Sequence, residues 1–414
     1  QVEITAEDTG DVVDSSIFNR NIAVEDRLNI KLQYEPTTDD IHNGPTTNDL
    51  VKAAVAAGDP VYDLFANHMS QTTPLVLTQH FYNLYAQPYL DFEMPWWNQS
   101  FKEQVTLNGK NYMAAGDISQ TMLRGTYVTI MNKAVLDEYY NGYDVYDTVR
   151  SGGWTFDEFL RLADMYHDVN GDGKADENDI YGVIRDRIGI VNDALIGSFD
   201  IPLVTNDGSG LKVVFNSEKT INFIERMQTL CYTNNYAISQ EFDQLQNKLM
   251  DGTALMVIYR LSLTEALRDM EADYMILPCP KYDEAQQKYC GFTHNGFSVF
   301  CIPVSAANPD ISAATLEALC AESYRHCTMA YYETTVKGKL ARDGETAEMI
   351  DLIHEGIRFD FGYVYSASLE NIIQIPRSHI NNNQTSKGAS ILATKVALSE
   401  AKLPELLAAF DELK

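Results

Sequence analysis

The chain has 414 residues, with 31 Lys and Arg against 59 Asp and Glu, which gives a formal net charge of −28 at pH 7. Hydrophobic residues make up 45% of it and aromatic residues 11%, a composition that builds a substantial core and excludes a disordered or fibrous protein. The acidic surface disfavours nucleic acid and anionic lipid as partners, and no apolar run approaches the ~20 residues of a membrane-spanning helix.

Hydrophobic periodicity predicts alternating helices and strands over most of the chain. In chain order the pattern predicts a helix over 13–28, a strand over 30–34, a helix over 48–57, a strand over 62–65, a tight turn at 108–109 and strands over 127–131 and 180–184. Asn48 is the predicted N-cap of the second helix, and Thr155 with Glu158 forms a capping box before another helix.

The second half of the chain continues the pattern and then becomes helical. It predicts a helix after Ser217, strands over 254–259, 274–277 and 297–302, and helices from Asn308 onward. Helix and strand in alternation, followed by helices, indicate α/β layers rather than separate all-α and all-β domains.

No motif in the sequence supports catalysis. The dinucleotide-binding, phosphate-binding, nucleophile-elbow and zinc-protease patterns are absent, and the eight histidines are scattered. Carboxylate pairs for glycoside hydrolysis stay open, because 59 acidic residues provide chance candidates. The sequence therefore predicts a protein that is not an enzyme and that requires no cofactor.

One loop has the residue spacing of a calcium site. Residues 168–179 read DVNGDGKADEND and place oxygen ligands at alternating positions around a turn, as a hard cation requires. An acidic turn whose side chains bond their own backbone is the alternative. The predicted ligands of a structural Ca²⁺ are Asp168, Asn170, Asp172, the carbonyl of Lys174, Asp176 and Asp179.

The cysteines and tryptophans have structural interpretations. Cys279 and Cys290 flank a predicted hairpin, so a disulfide between them stays open beside the alternative of buried thiols. For the pair Trp96 and Trp97, packing is a better explanation than ligand contact, although aromatic faces are also typical of sugar-binding clefts.

A series of segments resembles extracellular solute-binding proteins of carbohydrate ABC importers, family 1. The resemblance runs from about residue 10 to the C-terminus, and it departs at the front, where the first strand and lipidated cysteine of the family are not identified. The segments are GDPVYDLF (58–65), PWWNQ (95–99), LNGKNYMAAGDIS (107–119), IMNKAVLDEY (130–139), GGWTFDEFLRLA (152–163), DVNGDGKADENDIYG (168–182), ILPCPKYDEAQQKY (276–289) and NPDISAATLEALC (308–320).

The resemblance implies an α/β, two-lobed periplasmic-binding-protein-like fold with hinge crossovers. Lobe one is expected to comprise residues 1–118 and 273–307, and lobe two residues 119–272 and 308–414 with the C-terminal helices. The ligand contacts it implies are Asn67, His68, Asp117, Tyr259, Arg260, His294, Asn295, Tyr363 and Tyr365. Each has a structural alternative: a turn residue for His294, an ion-pair partner for Arg260 and helix packing for the tyrosines.

The function implied is capture of a carbohydrate, expected to be an oligosaccharide, and its delivery to the permease subunits of an ABC transporter. The protein is expected at the cell surface as a monomer, attached to the membrane only through a lipid anchor on the precursor. The alternatives are a glycan-active enzyme and a calcium-dependent carbohydrate-binding scaffold module. The sugar, its length and its linkage are not determined by the sequence.

Overall fold

The computed structural model describes residues 3–35, 46–232, 237–267, 269–332, 344–383 and 388–413. Within these ranges helices and short strands alternate, and the last third is helical. The elements are α1 (Val12–Leu28), α2 (Thr46–Ala57), β1 (Phe65–His68), α3 (Met69–Val76), α4 (Gln99–Val105), α5 (Gln120–Arg124), β2 (Tyr127–Asn132), α6 (Lys133–Tyr139), α7 (Val145–Arg150), α8 (Phe156–Ala163), β3 (Tyr166–His167), β4 (Ile180–Asp186), α9 (Val191–Ser198), β5 (Val204–Asn206), β6 (Leu211–Val213), α10 (Glu218–Tyr232), β7 (Ala237–Gln240), α11 (Phe242–Met250), β8 (Ala254–Arg260), β9 (Tyr274–Leu277), β10 (Ser298–Cys301), α12 (Pro309–Glu322), α13 (Gly344–Gly356), α14 (Phe361–Val364), α15 (Gln374–Asn381) and α16 (Gly388–Asp411).

Local sequence signals set several element boundaries as predicted. The Thr155 hydroxyl accepts the Glu158 N–H at 3.4 Å where α8 begins, and the Ser217 hydroxyl accepts the Thr220 N–H at 3.2 Å at the start of α10. Asn108 has a φ of 50° and Gly109 a φ of 73°, the left-handed conformations of a tight turn. The caps at Thr155 and Ser217 and this turn are therefore confirmed.

Other local predictions are wrong. Residues 30–34 form no regular element, and the strand predicted over 62–65 lies instead at β1, three residues further on. Helix α2 begins before Asn48, whose side-chain amide donates to the Gln71 carbonyl at 2.8 Å instead of capping the helix. The hairpin predicted between Cys279 and Cys290 contains no named strand, while the two cysteines are buried free thiols, the alternative that was left open beside a disulfide.

The chain divides into two compact units. Unit 1 comprises Gln1–Leu123, Asn295–Thr335 and Lys402–Lys414, and unit 2 comprises Arg124–His294 and Val336–Ala401. Among the described residues, no helix is both long and apolar enough to cross a bilayer.

Unit 1 is built around a small antiparallel pair of strands. In this pair β1 and β10 align Phe65 with Cys301 and His68 with Ser298. Helix α12 packs against α1, where the buried Arg20 guanidinium donates to the Ser323 hydroxyl at 3.1 Å. Strand β10 and α12 thus belong to the same unit as the N-terminal helix.

Two neighbouring tryptophans share one acidic partner in unit 1. The indole N–H groups of Trp96 and Trp97 both donate to the Glu317 carboxylate, each at 3.1 Å. Trp97 is 2% exposed and packs on Phe92 with ring centroids 5.0 Å apart. Burial raises the pKa of Glu317. The structure therefore gives Trp97 the packing role predicted from the sequence.

Unit 2 is built on a six-stranded mixed sheet. Its strands follow the order β3-β4-β8-β2-β9, with β7 also paired to β4. Strands β7 and β8 run parallel to β4, whereas β2 runs antiparallel to both β8 and β9. The carboxyl ends of β4, β7, β8 and β9 therefore lie at the edge of the sheet where β2 begins.

The lobe boundaries expected from the sequence differ from these units and are corrected by them. The sequence predicts residues 274–277 in lobe one, whereas β9 pairs with β2 and belongs to unit 2. It predicts residues 308–335 and 402–414 in lobe two, whereas they belong to unit 1. The first boundary lies after Leu123 instead of after residue 118.

Candidate functional site

Polar and aromatic side chains gather at the carboxyl edge of the unit 2 sheet. Arg260 ends β8, Asp186 ends β4, and Tyr127 begins β2 beside them. We define the edge cluster as the seven residues at this edge: Tyr127, Asp186, Asp193, Tyr259, Arg260, Tyr363 and Arg377. In open α/β sheets, ligands bind outside the carboxyl ends of the strands, so this edge is the candidate site in unit 2.

Asp186 fixes the loop that follows β4. Its carboxylate accepts the N–H groups of Gly189 at 2.6 Å, Ile190 at 3.0 Å and Val191 at 3.3 Å, where α9 begins. These bonds satisfy N–H groups that have no partner inside the helix, and they place negative charge at its positive end. Asp186 therefore positions the first turn of α9 and the residues carried on it.

Arg260 and Tyr259 form an aromatic and cationic pair. The Arg260 guanidinium lies 5.1 Å from the centroid of the Tyr259 ring, and its Nη2 donates to the Tyr259 hydroxyl at 2.9 Å. Tyr259 is 6% exposed and meets the Tyr127 ring edge-on, with centroids 5.9 Å apart. The structure thus brings two of the predicted ligand residues together and adds Tyr127 to them.

Asp193 and Arg377 lie close together beside this pair. Asp193 Oδ2 is 3.4 Å from Arg377 Nη2, and Asp193 is only 6% exposed. Burial raises the pKa of Asp193 to about 7, with Arg377 acting in the opposite direction and Asp186 adding to the rise. Burial also raises the pKa of Tyr127 well above its usual range, and the charges of Asp186 and Asp193 contribute.

Tyr363 and Tyr365 lie in the packed interior. The Tyr363 hydroxyl donates to the Thr293 carbonyl at 2.7 Å, and its ring packs on Phe292 with centroids 4.6 Å apart. Tyr365 is 0% exposed and packs on Phe361. The structure favours the packing alternative for both tyrosines. His294, half-buried, donates its backbone N–H to the Gly125 carbonyl at 3.0 Å.

In unit 1 the predicted residues Asn67 and His68 lie within β1 rather than after it. The Asn67 amide donates to the Asn48 side chain at 3.1 Å. His68 is half-buried, and burial lowers its pKa while the charge of Glu3 raises it. The Asn295 carbonyl accepts the N–H of Ser70, just beyond the end of β1.

Glu3 is a residue of this region that sequence reasoning missed. It is 2% exposed, and its Oε2 accepts the Thr121 N–H at 2.7 Å. The Thr121 hydroxyl in turn accepts the N–H of Ser298, the strand partner of His68. Glu3, His68, Thr121 and Ser298 therefore form one polar group, which is the candidate site in unit 1.

Asp117 is held within unit 1 by the end of a π-helical turn. The Thr328 hydroxyl donates to its carboxylate at 2.5 Å, and its own N–H donates to the Trp96 carbonyl at 2.9 Å. Burial raises the pKa of Asp117 to about 6, which the Thr328 hydrogen bond opposes. A half-buried carboxylate with a single hydroxyl donor retains accepting capacity for a ligand.

The acidic loop over 168–179 bonds mainly to itself. Asp168 accepts the N–H groups of Gly171 and Gly173, each at 2.7 Å, and the Asn170, Asp172 and Asp176 side chains accept N–H groups two residues on. Asp179 accepts from the Val169 and Asp176 N–H groups and the Tyr166 hydroxyl, which lower its pKa.

This arrangement matches the turn alternative for the loop. In the part of the chain that the structure describes, no three His, Cys, Asp or Glu side chains are grouped so as to hold a metal. Both oxygens of Asp179 already accept hydrogen bonds within or beside the loop. Calcium at this loop stays a prediction.

The sequence contained partial signals for the missed edge residues. Asp186 lies two residues after a predicted strand, so a strand-end criterion like the one that selects Arg260 comes close to it. Asp193 lies in the first turn of α9, and Arg377 and Tyr127 are brought to it only by the tertiary fold. Those three residues have no local signature.

Comparisons with known proteins give a likeness of fold. No family model and no curated protein matches the chain. A cyclo/maltodextrin-binding protein complexed with maltotetraose aligns with a TM-score of 0.66 at 12% identity, over 96% of this chain and 95% of that one. An ABC substrate-binding protein of Listeria monocytogenes in complex with cycloalternan aligns with a TM-score of 0.57 at 12% identity, over 98% and 97%. UgpB of Mycobacterium tuberculosis, in complex with glycerophosphocholine, aligns with a TM-score of 0.61 at 14% identity, over 96% and 95%.

The chain has the fold of ABC substrate-binding proteins. The α/β fold class predicted from the sequence is thereby confirmed, and the similarity spans nearly the whole chain in each case. The ligands of these proteins include neutral sugars and a phosphodiester, so the fold alone does not select one class of solute.

Proposed function

We propose that the protein is an extracytoplasmic solute-binding protein that captures a carbohydrate for an ABC import permease. The observation that carries the proposal is the fold likeness, which covers 96% and 98% of this chain in two proteins described with bound maltotetraose and cycloalternan. The sequence segments quoted above resemble the same class. The sequence resemblance and the likeness of fold both support the proposal.

The chemistry of the edge cluster supports a sugar as the ligand. Aromatic rings stack on the apolar faces of pyranose rings, and charged side chains bond hydroxyl groups strongly. Arg260 and Tyr259 supply both kinds of group at a strand end, where ligands of α/β proteins bind.

The two alternative functions have less support. A glycan-active enzyme needs a pair of available carboxylates, but Asp186 is engaged by three backbone N–H groups and Asp193 lies against Arg377. A calcium-dependent scaffold needs a metal loop, and the loop over 168–179 bonds to its own backbone. Incubation of oligosaccharides with the protein, followed by chromatography, detects any cleavage.

A thermal-shift screen tests the proposal directly. The screen uses maltotetraose, cycloalternan, tagatose and glycerophosphocholine, and a hit is followed by calorimetry. A ligand at 100 times its Kd stabilises the folded state by about 3 kcal/mol, which raises the melting temperature measurably. If glycerophosphocholine alone binds, the carbohydrate part of the proposal is contradicted and the solute-binding part is retained.

Two charge variants test the predicted contacts. Arg260→Ala and Asp117→Ala are each expected to weaken sugar binding by about 1.5–3 kcal/mol while the fold survives. The matched controls are Arg150→Ala and Asp137→Ala, which remove residues that form surface ion pairs. Normal affinity in both charge variants would show that the contacts lie elsewhere.

The protein is also proposed to act as a monomer outside the cytoplasm, with a lipid anchor on its precursor. Light scattering after size-exclusion chromatography should give a mass near 46.5 kDa. A mass twice as large would contradict the monomer. Surface labelling of intact cells that express the full-length precursor tests the location.

A further inference from the structure

Three buried polar groups at the edge cluster have hydrogen-bonding capacity that the described residues do not use. Asp193 Oδ1, the Tyr127 hydroxyl and Asn192 Oδ1 lie below the surface without a partner in the described part of the chain. Asp193 is 6% exposed, Tyr127 is 1% exposed and Asn192 is 0% exposed. Burying a polar group without a partner destabilises the folded state, so three such groups call for an explanation.

The other atoms of these side chains are well placed. Asn192 Nδ2 donates to the Gly189 carbonyl at 2.8 Å, and Asp193 Oδ2 lies 3.4 Å from Arg377 Nη2. The Tyr127 ring contacts the Tyr259 and Phe292 rings, each with centroids 5.9 Å apart. Each side chain is thus held by one set of contacts, while one oxygen of each has no hydrogen-bond partner among the described residues.

The three groups belong to one region of unit 2. Asn192 and Asp193 are consecutive in the first turn of α9, which the Asp186 carboxylate fixes to the end of β4. The charge of Asp193 acts on the hydroxyls of both Tyr127 and Tyr363. The Tyr363 hydroxyl is already bonded to Thr293, whereas that of Tyr127 has no such bond.

The three oxygens without a hydrogen-bond partner indicate what chemical groups a ligand must bring to them. Two are acceptor oxygens and the third is a hydroxyl, so the partner must bring several hydrogen-bond donors. A simple anion such as sulfate brings no donors and would meet the Asp193 carboxylate. A cation is opposed by the guanidinium groups of Arg377 and Arg260 in the same cluster. A neutral group with several hydroxyls satisfies all of these conditions.

We infer that Asp193, Asn192 and Tyr127 form a hydroxyl-binding subsite that takes adjacent hydroxyl groups of a neutral polyhydroxylated ligand. This inference rests on the proposed function and narrows it, because it favours ligands that carry adjacent neutral hydroxyl groups over simple ions. Such a site rejects ligands that lack the hydroxyls, since its buried polar groups are then left unpaired.

The first test uses ligand-free protein and needs no knowledge of the sugar. Tyr127→Phe removes only the unpaired hydroxyl, so the melting temperature should stay the same or rise. The matched control is Tyr146→Phe, which removes a buried hydroxyl bonded to Thr346 at 2.8 Å and should lower the melting temperature. An equal loss in both variants would overturn the subsite, because a protein group or bound water would then already satisfy Tyr127.

The second test is calorimetry with maltotetraose and cycloalternan. Tyr127→Phe should weaken binding of the neutral sugar about 3- to 10-fold, and Asp193→Asn about 10- to 100-fold. Tyr146→Phe should bind normally. Unchanged affinity in both subsite variants overturns the subsite but leaves the proposed function intact. If the wild type binds neither sugar, the proposed function is contradicted, and the ligand-free comparison still decides the subsite.

Discussion

Replacing Asp193 by Asn should remove a pH dependence from the stability of the protein. Burial raises the pKa of this carboxyl to about 7, so the folded state holds its proton at pH values where the unfolded chain has released it. A raised pKa contributes stability at low pH that is lost as the pH rises through 7. One proton corresponds to ~1.4 kcal/mol per pH unit, so wild type should lose about 3 kcal/mol relative to Asp193→Asn between pH 5 and pH 8.

The measurement is the free energy of urea unfolding of both proteins, compared at each pH. The comparison is necessary because burial also raises the pKa values of Asp117 and Asp360 to about 6. Arg377 from α15, Asp186 from β4, and Tyr127 and Tyr363 from β2 and α14 face Asp193, and none of them changes in the variant. The control is Asp137→Asn at an exposed position, for which the difference in unfolding free energy from wild type should not change with pH. If the difference for Asp193→Asn also does not change with pH, the reasoning is refuted.

Three further predictions concern packing, metal and motion. Trp97→Ala should lower the free energy of unfolding by about 3–5 kcal/mol in urea titrations, because a buried ring and a bond to Glu317 are lost, whereas the exposed Val61→Ala should change it by less than about 0.5 kcal/mol. A similar small change in both would contradict the packing role of Trp97. If the loop over 168–179 binds calcium, EDTA should lower the melting temperature and leave sugar affinity unchanged; an unchanged melting temperature would leave the self-bonded turn as the better description. If the units close on a ligand, small-angle scattering at saturating sugar should give a smaller radius of gyration than the ligand-free protein, and identical profiles under proven saturation would argue against closure.

The parts of the fold that depend on neighbouring residues were predictable from the sequence. The Thr155 cap, the turn at Asn108 and the strand that ends at Arg260 each depend on a few adjacent residues. The strand predicted over 62–65 lies three residues later, because pairing with β10 selects Phe65–His68, and a short apolar run does not encode that register. The partition into units depends on which strands pair. The sequence does not show that β9 pairs with β2, so it predicts β9 in lobe one, whereas the structure has it in unit 2.

The candidate site was predictable to the extent that it lies at strand ends. Arg260 and Tyr259 followed from that criterion, and the structure places them together. Tyr363 was expected to face a ligand, but its hydroxyl and ring are used inside the unit. Asp193 could not be identified, because an acid in the first turn of a helix has an ordinary explanation in the helix dipole. Its significance depends on its burial beside Arg377, which only the tertiary structure provides.

The tryptophans give each unit its own fluorescent reporter. The chain has three of them: Trp96 and Trp97 share Glu317 in unit 1, while Trp154 lies fully buried in unit 2 with its indole N–H bonded to the Pro278 carbonyl at 2.9 Å. In a Trp154→Phe variant all remaining indole emission comes from unit 1. In a variant with both Trp96→Phe and Trp97→Phe, all indole emission comes from Trp154 in unit 2. Comparing their unfolding transitions with circular dichroism therefore reports whether the two units unfold as one cooperative system.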